Sequence, residues 1–267
     1  MMQEYYQDKV CVVTGAAAGI GYAVCKNLLE AGAHVFMADI DVNGLKKTMD
    51  DLGKYAEKAF IVPTDVTNQE QVQKLVQDAA VYEGHLDFLF NNAGVGATMP
   101  FETVTLDIWE KVININLWSV IYGIHTAIPI MRKQGSGHIV NTSSIAGILP
   151  PPYQAVYSTT KYAVTGLTEC LRYELHDEGI YFTTVCPGNV ATSIWKGLDV
   201  PADAMPADEA GRIILEGVAK KESMIVFDDS YKELYMKCRM DPAFQEEVFL
   251  NLARERRENY RTKGTYI

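Results

Sequence analysis

Tyr157 and Lys161 stand four residues apart in a stretch, residues 153–175, whose pattern reads as a helix. Positions four apart share a helix face, so the phenol and the ammonium project together. A free tyrosine, with a pKa near ~10, is a poor base at neutral pH; a cation held alongside favours the phenolate and lowers that pKa. Such a pair is equipped to pass a proton to or from an alcohol or ketone oxygen. The same spacing also describes a packed ring beside a solvated amine, so the case depends on what the chain puts around it. Two further features suit the chemistry. Ser143 and Ser144 end a strand pattern at 138–142, where a hydroxyl either meets a substrate oxygen or simply begins a loop. Asn114 and Asn116 lie in a long, mostly apolar helix pattern at 106–131. A buried amide needs partners, so one of the two is a candidate for a polar network.

The elements upstream have the order needed to carry a nucleotide. A valine-rich strand at 9–14 runs into Thr14-Gly15-Ala16-Ala17-Ala18-Gly19-Ile20-Gly21 and then a helix pattern to residue 31. Strand, glycine turn and helix together bring phosphates to a helix N-terminus. Gly15 permits the turn, Gly19 lets backbone approach a pyrophosphate, and Gly21 lets helix pack on strand. Ala18 and Ile20 belong to the same contact surface. The next strand, 34–39, ends at Asp39, where an acid hydrogen-bonds adenosine ribose hydroxyls and repels a 2′-phosphate. No lysine or arginine occurs in the turn or directly after Asp39, where Ile40 and Asp41 follow. NAD(H) is therefore expected over NADP(H), and Asp41 is expected to cap the next helix, 42–52.

A strand at 59–63 leads to Asp65-Val66. Asp65 is placed to accept from an adenine amino group or to cap the helix that starts near Asn68. The apolar strand 86–90 runs into Asn91-Asn92-Ala93-Gly94, at the strand edge where open α/β sheets bind ligands. The sixth strand, 180–186, is closed by Pro187-Gly188-Asn189-Val190-Ala191-Thr192. Residues 190–206 mix large apolar side chains, Ile194, Trp195 and Leu198 among them, with breakers, the pattern of a mobile flap and not of a core element. A helix at 207–219, a seventh strand at 223–227 and a terminal helical pair, 231–238 and 241–260, complete the chain. In the last of these Arg254, Arg256, Arg257, Arg261 and Lys263 alternate with Glu255 and Glu258, as on a solvated or oligomer-facing helix. The alternation predicts an α/β fold: a three-layer, doubly wound Rossmann-type parallel sheet of about seven strands. One domain, 1–267, is expected, with a helical extension over about 228–267.

Composition excludes several other classes. A formal net charge of −10 argues against nucleic-acid or anionic-membrane surfaces. Hydrophobic residues, at 48%, suffice for a large core. The five cysteines are odd in number, widely spaced and free of metal-site patterns; buried thiols in a reducing compartment are expected. Residues 1–8 lack signal-peptide character, and no uncharged run approaches the ~20 residues of a membrane span. The expectation is a soluble, cytoplasmic protein.

Taken in order, Thr14-Gly15-x-x-x-Gly19-x-Gly21, Asp39, Asp65-Val66, Asn91-Asn92-Ala93-Gly94, Asn116, Ser144, Tyr157-x-x-x-Lys161, Pro187-Gly188 and Thr192 resemble the short-chain dehydrogenase/reductase family over roughly residues 8–227. The resemblance selects Ser144 over Ser143, from its place thirteen positions before the tyrosine, and Asn116 over Asn114, from the Leu-x-x-Val that follows. It implies that Tyr157 is the general acid/base, that Lys161 lowers its pKa and holds the nicotinamide ribose, that Ser144 polarises the substrate oxygen, and that Asn116 anchors a water in a proton relay. Hydride would pass between substrate carbon and nicotinamide C4. The motif residues from Gly15 to Thr192, Ile40, Asn92 to Gly94, Pro187, Gly188 and Val190 included, would form the cofactor site. Many members end in a short glycine-containing tail after the last strand, and this chain adds about forty helical residues, which either cover the substrate site or make a different interface.

The expected activity is NAD-dependent interconversion of a secondary alcohol and a ketone. Leu149, Tyr153, Trp195 and Leu198 are expected in the substrate pocket, and their apolar character favours a bulky substrate such as a hydroxysteroid or bile acid. The alternatives are a carbonyl reductase of acyl-chain or xenobiotic ketones and a non-catalytic NAD-binding regulator. A homodimer or homotetramer is expected.

Overall fold

The computed structural model describes residues 2–195 and 200–267. Its elements are α1 (Met2–Tyr6), β1 (Val10–Thr14), α2 (Gly19–Glu30), β2 (His34–Asp39), α3 (Val42–Leu52), β3 (Ala59–Pro63), α4 (Gln69–Tyr82), β4 (Phe88–Asn91), α5 (Leu106–Ile113) and α6 (Ser119–Gln134). There follow β5 (Gly137–Thr142), α7 (Ala155–Glu174), β6 (Ile180–Cys186), β7 (Val190–Ala191), β8 (Met205–Pro206), α8 (Ala207–Ala219), β9 (Met224–Val226), α9 (Asp229–Met240) and α10 (Pro242–Lys263).

Alternation along β1 shows how the layers arise. Successive side chains of a strand point to opposite faces. Cys11 and Val13 pack on one face with Leu28 of α2, Leu45 of α3 and Ile214 of α8. Val10 and Val12 pack on the other with Leu75 of α4, Ile124 of α6 and Val164 of α7. Both faces are covered, so every residue of the strand is buried. A fully buried leucine or valine contributes roughly 1.5–3 kcal/mol, which makes these two layers the main support of the sheet. The seven strands run parallel in the order β3-β2-β1-β4-β5-β6-β9, the doubly wound arrangement expected from the sequence. Strand order reverses between β1 and β4, and the crevice at the carboxyl ends of those two strands is where such sheets bind ligands.

Four features depart from the sequence expectations. The helix at 106–131 is two α-helices joined by a π-helical turn, Asn114–Trp118, which turns Asn116 fully inward. Extra turns of this kind cluster at functional sites. Helix α4 is capped by Asn68, which accepts from Gln71 N; Asp65 instead accepts from the amide and hydroxyl of Thr67. The described ends of the segment 190–206, expected as a mobile flap, are tied to the fold: β7 pairs with β8, and Val190 is buried in the core, while residues 196–199 lie outside the described residues. Leu198, expected in the pocket, lies outside the described residues. Cys170 is exposed, while the other four cysteines are buried.

The extension is tied to the sheet edge. Leu234, Tyr235, Phe244 and Phe249 of α9 and α10 pack around Ile148, Leu149, Cys186 and Cys238. No helix among the described residues is long and apolar enough to cross a membrane.

Candidate active site

Thr14 ends β1, and its hydroxyl collects the turn that follows β4. It accepts from Asn92 N at 3.0 Å and Ala93 N at 3.1 Å, and its carbonyl accepts from Asn92 Nδ2 at 3.0 Å. Gly15 follows with φ +71°, a left-handed conformation that only glycine adopts without cost. A Cβ there would stand 2.9 Å from Ala93 Cα. At Gly21 a Cβ would overlap the Gly15 carbonyl, so α2 lies directly on the turn. The N-cap of α2, Ala18, offers no side-chain acceptor, which leaves the first amides of the helix for a ligand. Gly19 lies under the Thr192 side chain. At the end of β2, Asp39 accepts from Ala17 N at 3.0 Å and Asp41 N at 2.9 Å, so it braces the turn and also borders the cleft. Asp41 caps α3 by accepting from Gly44 N, as expected.

Asn116 holds the loop after β4. Its Oδ1 accepts from Val95 N at 2.8 Å, and its Nδ2 donates to Val95 O at 2.9 Å and Thr160 Oγ1 at 3.3 Å. The side-chain amide is thus committed to protein partners, and its place is beside Gly94 and Lys161. Separately, Asn91 donates to Asn141, and Asn141 donates to Thr168, a buried polar chain across β4, β5 and α7.

On α7 the one-turn spacing brings Lys161 Nζ 5.6 Å from the centre of the Tyr157 ring. The ammonium donates to Thr142 O at 2.8 Å and is almost fully buried. Burial brings the Lys161 pKa down to about 8. Burial pushes the Tyr157 phenol above the ordinary range, and the opposing influence is a hydrogen bond with the Ser144 hydroxyl, not the Lys161 charge. Desolvation of both groups outweighs their attraction at this separation. Ser144 also accepts from Ala146 N at 3.1 Å, which orients it at the start of the loop after β5. The adjacent Ser143 faces away into the fold, bonded to Lys161 O and Thr165.

These groups share one cleft of about 940 Å³. Its wall takes in Gly15, Ala18, Gly19, Ile20 and Asp39 at one end. Asn92, Ala93, Gly94, Ser144, Tyr157 and Lys161 lie along it, with Pro187, Gly188, Val190 and Thr192 opposite. Leu149 and Trp195 border the other end, and the Trp195 indole donates to Val190 O at 2.8 Å. Several expected residues lie off this wall. Gly21 packs beneath it. Ile40 is 70% exposed beyond β2. Asp65 and Val66 begin beside Asp39, whose carbonyl accepts from Thr64 N. Tyr153, expected against the substrate, is instead stacked on Tyr266, ring centres 4.4 Å apart; its φ of +64° turns the chain just before α7. Asn116 lies behind the wall.

Some roles and residues escaped the sequence reading. Thr14, named only as the start of the glycine motif, braces the turn after β4 through its hydroxyl, and Thr142 holds Lys161 through a strand-end carbonyl that no motif marks. Phe249, Leu252 and Arg256 reach the cleft from α10. The only sequence signal for them was the extension itself.

The short chain dehydrogenase family profile matches residues 9–201. This chain belongs to the short-chain dehydrogenase/reductase family. Among curated relatives, it is 34% identical over 197 residues to 3beta-hydroxysteroid dehydrogenase 2 of Eggerthella lenta, covering 73% of this chain and 76% of that one. It is 38% identical over 187 residues to an uncharacterized oxidoreductase of Staphylococcus aureus, covering 70% and 80%. A solved short-chain dehydrogenase/reductase of Burkholderia phymatum, in complex with NAD, superposes with a TM-score of 0.84 at 30% identity, over 90% of this chain and 96% of that one. Levodione reductase superposes at 0.75 with 27% identity, over 83% and 96%. As a member of the family the chain is an oxidoreductase for small molecules. The profile match ends before α8, so the extension that lines the cleft lies outside it.

Proposed function

We propose that the chain is an NAD(H)-dependent dehydrogenase/reductase of a bulky, apolar secondary alcohol or its ketone, with a hydroxysteroid as the favoured substrate class. The observation that carries this is the continuity of the cleft: it runs from Asp39 past Tyr157, Lys161 and Ser144 to an apolar end formed by Leu149, Trp195, Phe249 and Leu252. The hydroxysteroid dehydrogenase relative supports the substrate class.

The glycine cradle, the uncapped start of α2 and the acid at the end of β2 suit a dinucleotide without a 2′-phosphate. Bound there, the nicotinamide would supply or accept hydride. The protein's own residues do the rest. The Tyr157 phenol donates its proton to the oxygen of a ketone, or its phenolate takes the proton of an alcohol. Ser144 donates a hydrogen bond to the same oxygen as charge develops on it. Lys161, fixed by Thr142 O, presents a cation to the ribose and to the phenolate when it forms. Asn116 acts by holding Val95, and with it the loop that carries Gly94.

Reduction of an acyl-chain or xenobiotic ketone is the second reading. It uses the same groups, with the Tyr157 phenol protonating the ketone oxygen and the apolar end of the cleft holding the remainder of the substrate. Purified protein supplied with NAD⁺ or NADP⁺ and a panel of hydroxysteroids and simpler secondary alcohols tests the proposal. Growth of the reduced-nicotinamide band is expected with NAD⁺ and hydroxysteroids, and Asp39→Ala should narrow the preference for NAD⁺ over NADP⁺ by about tenfold, or ~1.4 kcal/mol. A native preference for NADP⁺ would remove the role assigned to Asp39.

A further inference from the structure

Arg256 is the one arginine of the described residues that lines the cleft. Arg132, Arg212 and Arg261 pair with Glu178, Glu216 and Glu258 on the surface. Arg256 projects from α10 to the apolar end of the cleft, where it forms no ion pair with any described residue. Its partner is the uncharged Pro152 carbonyl, which accepts from Nη1 at 2.6 Å. A guanidinium has five N–H donors, and that bond engages one nitrogen, with donors left over. The surrounding wall, Leu149, Pro151, Phe249 and Leu252, supplies no acceptor side chain. Burial lowers the Arg256 pKa, opposed only by Glu255, an exposed neighbour on the same helix. A cation partly withdrawn from water without a carboxylate carries a desolvation cost that an anionic ligand would offset. Its isolation is sharpened by a chain whose net charge is −10. Of the other charged side chains on the wall, Asp39 lies at the opposite end and Lys161 is bonded beside Tyr157; Ile267, with the terminal carboxylate, also borders the cleft but makes no ion pair with Arg256.

We propose that Arg256 is a specificity-determining residue that binds an anionic group, carboxylate or sulfate, on the end of the substrate remote from the reacting oxygen. The substrate is then an amphipathic acid: an apolar body against Phe249 and Leu252, a secondary alcohol or ketone at Tyr157, and an anion on the guanidinium. This rests on the dehydrogenase reading for the alcohol end only; the anion end stands on Arg256 and its surroundings. Pro152 supports the arrangement by fixing the guanidinium at the apolar end of the cleft, three residues before α7 begins its approach to Tyr157.

The test compares a hydroxylated steroid carboxylic acid, its methyl ester and a steroid sulfate, by calorimetric binding and by turnover with NAD⁺. In the native protein the acid or the sulfate should bind at least about tenfold more tightly than the ester, and whichever does so identifies the anion. Arg256→Gln, which keeps an N–H for Pro152 O, should bring that ratio to about one through KM; Arg256→Lys should retain part of it. Raising the salt concentration should shrink the native ratio. Equal binding of acid, sulfate and ester, or an Arg256→Gln protein that keeps the native ratio, overturns the proposal and leaves Arg256 as a latch on Pro152. Preferential anion binding that depends on Arg256, with no turnover, would instead sustain the anion site and defeat the dehydrogenase reading.

Discussion

At the Asp39 end of the cleft the wall is largely backbone, held by hydrogen bonds that span one or two strands. At the Trp195 end it is side chain, gathered from the loop after β5, the segment after β6 and the helices α9 and α10. The first end has almost no freedom: Thr14 fixes Asn92 and Ala93, Asp39 fixes Ala17, and Asn116 fixes Val95. The second is held by apolar contact, in which residues of similar volume replace one another at modest cost. Tyr157, Lys161 and Ser144 stand where the two kinds meet.

The sharpest way to break the comparison is at that junction. Tyr157→Phe should lower turnover by about 10²- to 10⁴-fold and leave NAD⁺ affinity nearly intact, as read by fluorescence titration beside steady-state rates. Substantial residual activity would remove the tyrosine from its role. Next in size, Gly15→Ala forces a left-handed residue against Ala93. That conformation costs about 1–2 kcal/mol, so NAD⁺ binding should weaken about tenfold and thermal stability fall, with a smaller change in KM for the alcohol. If both constants move together, the two ends are not separable. Phe249→Ala makes the converse test. Loss of roughly 1 kcal/mol of apolar contact should raise KM about fivefold for a bulky substrate and much less for a small alcohol, without altering NAD⁺ affinity.

The remaining test is on stability and not on either end of the cleft. Lys161 is held at about 8 in the fold against an ordinary 10.5. Between those values the unfolded chain binds the proton and the folded chain does not, so stability should rise with pH across that window. Below about 8 the cost of the buried charge is carried in full. Urea unfolding of the cofactor-free protein at several pH values measures the slope, and Lys161→Met should flatten it.

How much of this could be read beforehand follows the same division. Strand boundaries at 34–39, 59–63 and 180–186 and the helices at 42–52 and 207–219 matched the structure, because short apolar runs bounded by turn residues encode them locally. The glycine turn and its acid were legible for the same reason. The π-helical turn at Asn114–Trp118 was not, since its extra residue has no composition of its own and is stabilised by tertiary contacts such as Asn116 with Val95. Tyr153 was misplaced because an aromatic one turn before Tyr157 reads as its neighbour, whereas a positive φ sends it to Tyr266. Arg256 was read as part of a solvated stripe because alternating charge on a helix does not reveal which member faces a cleft more than a hundred residues away in sequence. The sign of the Tyr157 shift also lay beyond sequence, since it depends on depth of burial and not on the spacing of two side chains.

The account rests on direct hydride transfer at the point where the two ends meet. The measurement that tests this is the fate of deuterium placed on the carbinol carbon of a hydroxysteroid turned over with NAD⁺. Mass spectrometry of the recovered reduced nicotinamide should show one deuterium per molecule formed. Reduced nicotinamide without the label, or no reduction with any secondary alcohol of the panel, would contradict it.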